Sequence, residues 1–242
     1  MWCVPETFAV VGESGSGKST AARVIIGLLP PDAGTVRMDG TALSATSRHR
    51  PKALQRRVQM IYQMADTALN PKHRIRELLG RLLEFFLGLK GAARVARIHE
   101  LLSMIELDPD SFIDRLPGEL EGGQKQRICI AHALADEPEF IICDEVTSAL
   151  DQIVAAGILR LLDRLQHEMG LTYLFITHDL ATLHSIADRV VVVQKGRIVE
   201  QGPKDAMFTP PHHPFIALLL SSAPEMDPDW LFHALGERRA TS

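Results

Sequence analysis

Gly12-Glu13-Ser14-Gly15-Ser16-Gly17-Lys18-Ser19-Thr20 decides how the rest of this chain is read. The apolar run Phe8-Ala9-Val10-Val11 precedes it, and a helical pattern from about Thr20 to Leu29 follows it. That strand–loop–helix setting is the one a phosphate-binding P-loop needs. Its glycines let successive backbone N–H groups turn inward around an anion, with a helix N-terminus behind them. On this reading Gly12, Ser14, Gly15, Ser16, Gly17, Lys18, Ser19 and Thr20 cradle the phosphates of a nucleoside triphosphate. Lys18 reaches the β- and γ-phosphates, and the Ser19 hydroxyl holds a Mg²⁺ that keeps its other waters.

The chain has 242 residues, enough for one large α/β domain or one domain with a small appendage. Its formal net charge of −4 gives no electrostatic footprint for nucleic acid, so no nucleic-acid partner is expected. The longest apolar stretch, Leu82-Leu83-Glu84-Phe85-Phe86-Leu87-Gly88-Leu89, carries a charge and is too short to span a bilayer. Met1-Trp2-Cys3-Val4-Pro5 lacks the basic start and apolar core of a signal peptide. Cys3, Cys129 and Cys143 are odd in number and lack metal-ligand spacing, which reads as reduced thiols in a cytosolic protein.

Downstream, strands and helices alternate. Thr35–Gly40 and Arg57–Tyr62 read as strands, with Thr41–Leu54 polar and irregular or weakly helical between them. A mostly helical region runs from Ile75 to about Leu107, interrupted at Gly88 and Gly91. A helix opens around Glu119 and continues to about Ala135. Phe140-Ile141-Ile142-Cys143 is a short continuous apolar run, as expected of a parallel strand buried on both faces. Ile153, Ile158, Leu161, Leu162, Leu165 and Met169 recur at helical spacing, with Gly170 to cap the end. Thr172–Thr177 is a further strand, and Val190–Val193 and Ile198–Glu200 form a hairpin about Lys195-Gly196. This alternation gives an α/β fold with a mostly parallel sheet.

A buried strand that ends in Asp144 aims a carboxylate at the metal of a P-loop ATPase site. Glu145, next in line, could polarise an attacking water as general base. With these residues in place the chain resembles the ATP-binding-cassette (ABC) ATPases. Gly12–Thr20, Gln63, Leu120–Gln124, Phe140–Glu145, Ser148-Ala149-Leu150-Asp151 and His178 follow in that family's order, and the resemblance runs from about Val4 to the C-terminus. Asn70-Pro71, Val146–Asp151 and His212-His213-Pro214-Phe215 are similar to the ATPase subunits of oligopeptide, dipeptide and nickel importers.

The resemblance implies a P-loop NTPase core of residues 1–65 and 118–202, an inserted helical subdomain of residues 66–117, and a C-terminal extension of residues 203–242. It implies ATP and Mg²⁺ as ligands, with Ser19, Gln63 and Asp144 around the metal and Lys18, Gln63, Glu145 and His178 serving hydrolysis. It also implies a second ABC ATPase subunit, transmembrane permease subunits and, indirectly, a substrate-binding protein. The chain would then sit at the cytoplasmic face of the cell membrane. Leu120, Glu121, Gly122, Gly123 and Gln124, with Asp151, would complete the site on the opposite subunit.

Two departures from the family pattern stand out. Glu121 occupies the place of the signature serine. A carboxylate about 4 Å from a phosphate charge is repelled by roughly 4 kcal/mol at an effective dielectric near 20. Its attraction to the helix N-terminus returns only about 0.3–1 kcal/mol. This predicts a heterodimer whose partner brings an intact signature. Few residues precede Gly12, so the family's N-terminal strands and adenine-stacking aromatic are expected to be missing, with Trp2 an edge or core residue. Phe215–Leu220 is expected to pack as a helix on the core, and His212-His213 to be solvated. Two other readings stay open: a cassette module impaired in hydrolysis, and a soluble ABC ATPase of DNA repair or translation.

Overall fold

The structure, a computed structural model, describes residues 6–209. Trp2, His212, His213 and residues 215–220 lie outside the described residues. The five-residue strand β1 (Thr7–Val11) lies inside a six-stranded sheet and alternates buried and half-buried positions, because Ala9 and Val11 face one apolar cluster and Val10 the margin of another. With β4 (Val58–Ile61), β5 (Phe140–Asp144), β6 (Thr172–Ile176), β7 (Arg189–Gln194) and β8 (Arg197–Pro203), the strand order is β4-β5-β6-β1-β7-β8. Every pairing is parallel except the β7–β8 hairpin, which turns through Lys195 and Gly196 with φ of 48° and 76°. Two successive positive φ values are the signature of the tight turn that matches strand twist.

Helix α1 (Lys18–Ile26) follows the P-loop and packs Ala22 against Val58, Met60, Ile142 and Ile176 on one face of the sheet. It stops earlier than the apolar pattern suggested, before Pro30. Gly27 takes φ 83°, and the N–H of Leu28 bonds back to the Arg23 carbonyl at 2.8 Å, closing the helix with a left-handed cap. The polar segment after it holds a small antiparallel pair, β2 (Arg37–Met38) with β3 (Thr41–Ala42), and then α2 (Lys52–Arg57). Arg57 therefore ends a helix instead of opening the next strand, as the sequence pattern had it.

Four helices follow β4: α3 (Ala65–Ala68), α4 (Ile75–Leu87), α5 (Gly91–Met104) and α6 (Pro109–Phe112). The break between α4 and α5 falls where glycine predicted it, with Gly88 as the left-handed cap at φ 69°. Their apolar faces are not a separate core. Ile75, Leu79, Leu83, Ile98 and Leu101 join one cluster with Ile128 of α7 (Gly122–Leu134), Ile141 of β5 and Leu161 of α8 (Gln152–Met169). Helix α7 starts three residues later than expected, because residues Pro117–Glu119 form a single 3-10 turn. Helices α9 (Leu180–Ile186) and α10 (Lys204–Phe208) complete the described chain. No helix among the described residues is long and apolar enough to cross a membrane.

Candidate functional site

The P-loop leaves β1 at the centre of the parallel sheet, at the carboxyl ends of the strands, where α/β folds bind ligands. Its turn closes through Ser16 N–H to the Glu13 carbonyl at 3.1 Å. The β7–β8 hairpin braces it from the side: Gly196 N–H donates to the Ser16 carbonyl at 3.0 Å. A Cβ at Gly12 would stand 2.0 Å from the Val193 carbonyl oxygen, so only glycine fits where the loop passes β7. Lys18 is nearly buried, and its Nζ donates to the carbonyls of Gly12 and Glu13, both at 2.8 Å, and to Ser16 Oγ at 3.4 Å. Burial lowers its pKa; the charges of Glu145 and Asp144 oppose that shift. Ser14, Gly15 and Thr20 are exposed on the loop and the first turn of α1.

Strand β5 delivers the acids. Ser19 Oγ donates to Asp144 Oδ1 at 2.9 Å, across 125 residues of sequence. Burial raises the Asp144 pKa and the neighbouring Glu145 charge adds to it, while the Ser19 bond and the cations Arg23 and Lys18 pull the other way. Glu145 sits in the left-handed region at φ 50°, with its N–H bonded to the Ile176 carbonyl at 2.9 Å. A non-glycine residue pays about 1–3 kcal/mol for such a conformation and keeps it only where its surroundings enforce it. Both of its carboxylate oxygens are engaged. Oε2 accepts from Gln63 Nε2 at 2.9 Å, and Oε1 lies 3.3 Å from His178 Nδ1. A carboxylate can only accept, so that nitrogen of His178 carries the proton.

Gln63, Asp144, Glu145, His178, Ser19 and Lys18 thus converge on one corner of the sheet. Gly122 and Gly123 pack elsewhere. A Cβ on Gly122 would be 3.5 Å from Leu150 Cδ2, and one on Gly123 would be 2.5 Å from Val154 Cγ1 of α8. Glu121 and Gly122 are exposed at the N-terminus of α7, where Gln124 Oε1 accepts from the Glu121 N–H at 3.2 Å. Asp151, read as a contact to an opposite subunit, is the N-cap of α8 and accepts from Val154 N–H at 3.0 Å. Two contributors escaped the sequence reading. Ser148 joins the Gln63–Glu145 pair, and Gly196 supports the P-loop from about 180 residues away. Ser148 begins the Ser148-Ala149-Leu150-Asp151 element, whereas Gly196 reads only as a turn residue.

The residues present fit a hard divalent cation. A hydroxyl and a buried carboxylate sit together at Ser19 and Asp144, an oxygen set that Mg²⁺ favours. A dication there would also reverse the cost of ionising Asp144, which burial now penalises.

The family description "ABC transporter" matches residues 5–148. The chain belongs to this family. It is 42% identical over 224 residues to the oligopeptide transport ATP-binding protein OppF of Streptococcus mutans, covering 92% of this chain and 72% of that one. It is 44% identical over 195 residues to the nickel import ATP-binding protein NikE of Escherichia coli, covering 81% of this chain and 72% of that one. A Brucella abortus relative named for peptide import is 44% identical over 220 residues, and the match covers 66% of its length. Among solved structures, CbiO1 of Clostridium perfringens, part of the ABC transporter complex CbiONQ, superimposes with a TM-score of 0.75. That likeness has 27% identity and covers 85% of this chain and 80% of the other. The fold is therefore that of the ABC ATPases, α/β with a mostly parallel sheet.

Proposed function

We propose that this chain binds and hydrolyses ATP as the ATPase subunit of an ABC importer for peptides or a similar small solute. The observation that carries the reading is the Glu145 carboxylate, clamped between Gln63 and His178 beside the Ser19–Asp144 pair. Relatives named for oligopeptide transport and nickel import support the importer assignment. In this reading the P-loop N–H groups of residues Gly12 to Thr20 and the Lys18 ammonium hold the phosphates. Lys18 first exchanges its bonds to the loop carbonyls for bonds to phosphate oxygens. Ser19, Asp144 and the Oε1 of Gln63 would hold Mg²⁺, which would supply charge neutralisation on the phosphates.

Glu145 takes the proton of the attacking water as its oxygen bonds to the γ-phosphorus and the bond to the β–γ bridging oxygen breaks, giving ADP and phosphate. His178 orients that water and contacts the γ-phosphate. With Nδ1 committed to Glu145, it donates from Nε2 only as the imidazolium. Helices α3 to α6 form the subdomain that docks permease subunits at the cytoplasmic face of the membrane. A substrate-binding protein would select the solute.

We further propose that a second ATPase subunit with an intact signature pairs with this chain. Were the exposed N-terminus of α7 to face a partner's γ-phosphate, Glu121 would repel it by roughly 4 kcal/mol at about 4 Å, more than the gain from the helix dipole. This weakens only the site built on the partner's P-loop.

The test is steady-state ATP hydrolysis by the complex isolated through a tag on this chain. Lys18→Ala and Glu145→Gln should each abolish turnover at this chain's site, Glu145→Gln with ATP still bound. Wild-type turnover in Glu145→Gln removes the assignment. Glu121→Ser should add turnover at the second site; brisk, cooperative hydrolysis by this chain alone as a homodimer sinks the heterodimer reading.

A further inference from the structure

Ser148 makes hydrogen bonds that neither the hydrolytic step nor the sheet requires of it. It stands in the exposed loop between β5 and α8. Its hydroxyl donates to the Glu145 carbonyl at 2.9 Å, and its N–H donates to the same carbonyl at 3.1 Å. With its own proton spent on that carbonyl, the oxygen presents lone pairs, and Gln63 Nε2 lies 3.3 Å away as the donor. The same amide nitrogen donates to Glu145 Oε2 at 2.9 Å. Gln63, Glu145 and Ser148 therefore close a ring of hydrogen bonds.

A serine bonding to the carbonyl three residues back is, taken alone, an ordinary turn. Two features separate this one. The carbonyl it holds belongs to Glu145, whose backbone is in the left-handed region and needs outside support to stay there. The second partner, Gln63, comes from the loop after β4, 85 residues away, which a local turn does not need.

We propose that Ser148 is a positioning residue: it fixes the Glu145 backbone and seats the Gln63 amide on it, so that both side chains are presented to water as one unit. The inference rests on the roles given to Glu145 and Gln63 above. Because the amide's two N–H groups serve the ring, its Oε1 is the atom left for metal or water. Moving Gln63 away would free the Glu145 carboxylate and leave the Ser148 oxygen without its donor while Ser148 still holds the Glu145 carbonyl, so the helical region that follows Gln63 acts on the base through this amide.

The experiment compares Ser148→Ala, Ser148→Thr, Gln63→Ala and the Ser148→Ala/Gln63→Ala double variant in the tagged complex. It measures kcat, KM for ATP and melting temperature. Ser148→Ala should lower kcat about three- to tenfold, the range given by losing one hydrogen bond's net contribution, with KM unchanged and the melting temperature lowered by no more than about 6 °C. Ser148→Thr, which keeps the hydroxyl, should recover kcat to within about twofold. In the Gln63→Ala background, the further loss from Ser148→Ala should be smaller than in the wild type, because only the bond to the Glu145 carbonyl is then left to lose.

An unchanged kcat in Ser148→Ala overturns the proposal. So does a joint fall in melting temperature and KM affinity that threonine does not recover, or a double variant whose losses multiply. Glu145→Gln, run in parallel, separates the two levels. Full turnover in it removes the base assignment itself, whereas a dead Glu145→Gln beside a fully active Ser148→Ala removes only the positioning role.

Discussion

Gly12→Ala puts a number on how tightly the hairpin end holds the P-loop. The added Cβ would lie 2.0 Å from the Val193 carbonyl oxygen and 3.0 Å from Ser16 Oγ. A carbon and a carbonyl oxygen rest at about 3.3 Å, so roughly 1.3 Å of separation must be created. The obstacle is backbone: Val193 belongs to β7, paired with β1 on one side and with Ile198 of β8 on the other. It cannot swing aside like a side-chain tip. Forcing an extra methyl into a packed site costs about 1–3 kcal/mol.

That cost has two outlets. If the P-loop yields, its N–H groups leave the phosphates and ATP affinity falls about five- to a hundredfold. If β7 yields, the melting temperature falls by about 2–10 °C for a chain of this size. Titration of the purified chain with a fluorescent ATP analogue reads the first, and differential scanning fluorimetry without nucleotide reads the second. Affinity within twofold of wild type together with a melting temperature within a degree would refute the reasoning, since the contact would then exert no force.

Burial pushes the Asp136 carboxyl up to about 7, and its Oδ1 has no hydrogen-bond partner. The native state thus holds a proton that the unfolded chain releases near pH 4, so stability falls as pH rises from about 4 to 7. Asp136→Asn should flatten that slope and raise the melting temperature at pH 8; an unchanged pH profile in thermal melts would contradict this. Asp144 is raised by burial in the same sense, so Asp144→Asn should make the nucleotide-free chain more stable at neutral pH. It should also abolish the thermal shift given by Mg²⁺-ATP, and a retained shift would exclude Asp144 from the metal site. Burial pushes the Cys129 thiol up to about 12 and the Cys143 thiol higher still. N-ethylmaleimide at pH 7.5 should leave both unmodified in peptide mass spectra until the chain is denatured.

The sequence by itself determined the parts whose physics is local. Gly12–Thr20 is legible because a phosphate cradle needs its glycines within one short loop, and Phe140–Asp144 because a strand buried on both faces is a near-continuous apolar run. Gly88 ended α4 where expected, since a left-handed cap is a one-residue property. The end of α1 was misplaced for a related reason: Gly27 stops the helix, yet Leu28 and Leu29 continue its apolar pattern.

Only the tertiary structure decided what depends on strand order and crossing loops. Placing β1 between β6 and β7 is what brings the Val193 carbonyl against Gly12 and the Gly196 N–H onto Ser16. The apolar faces of the inserted helices join those of α7 and β5 in one core, which no stretch of the chain announces. Gln63, Glu145, Ser148 and His178 lie scattered over more than a hundred residues, and any of them alone reads as an ordinary polar strand end. Hydrogen bonds act over about 3 Å whatever the distance along the chain, so their network is visible only once the sheet has gathered them.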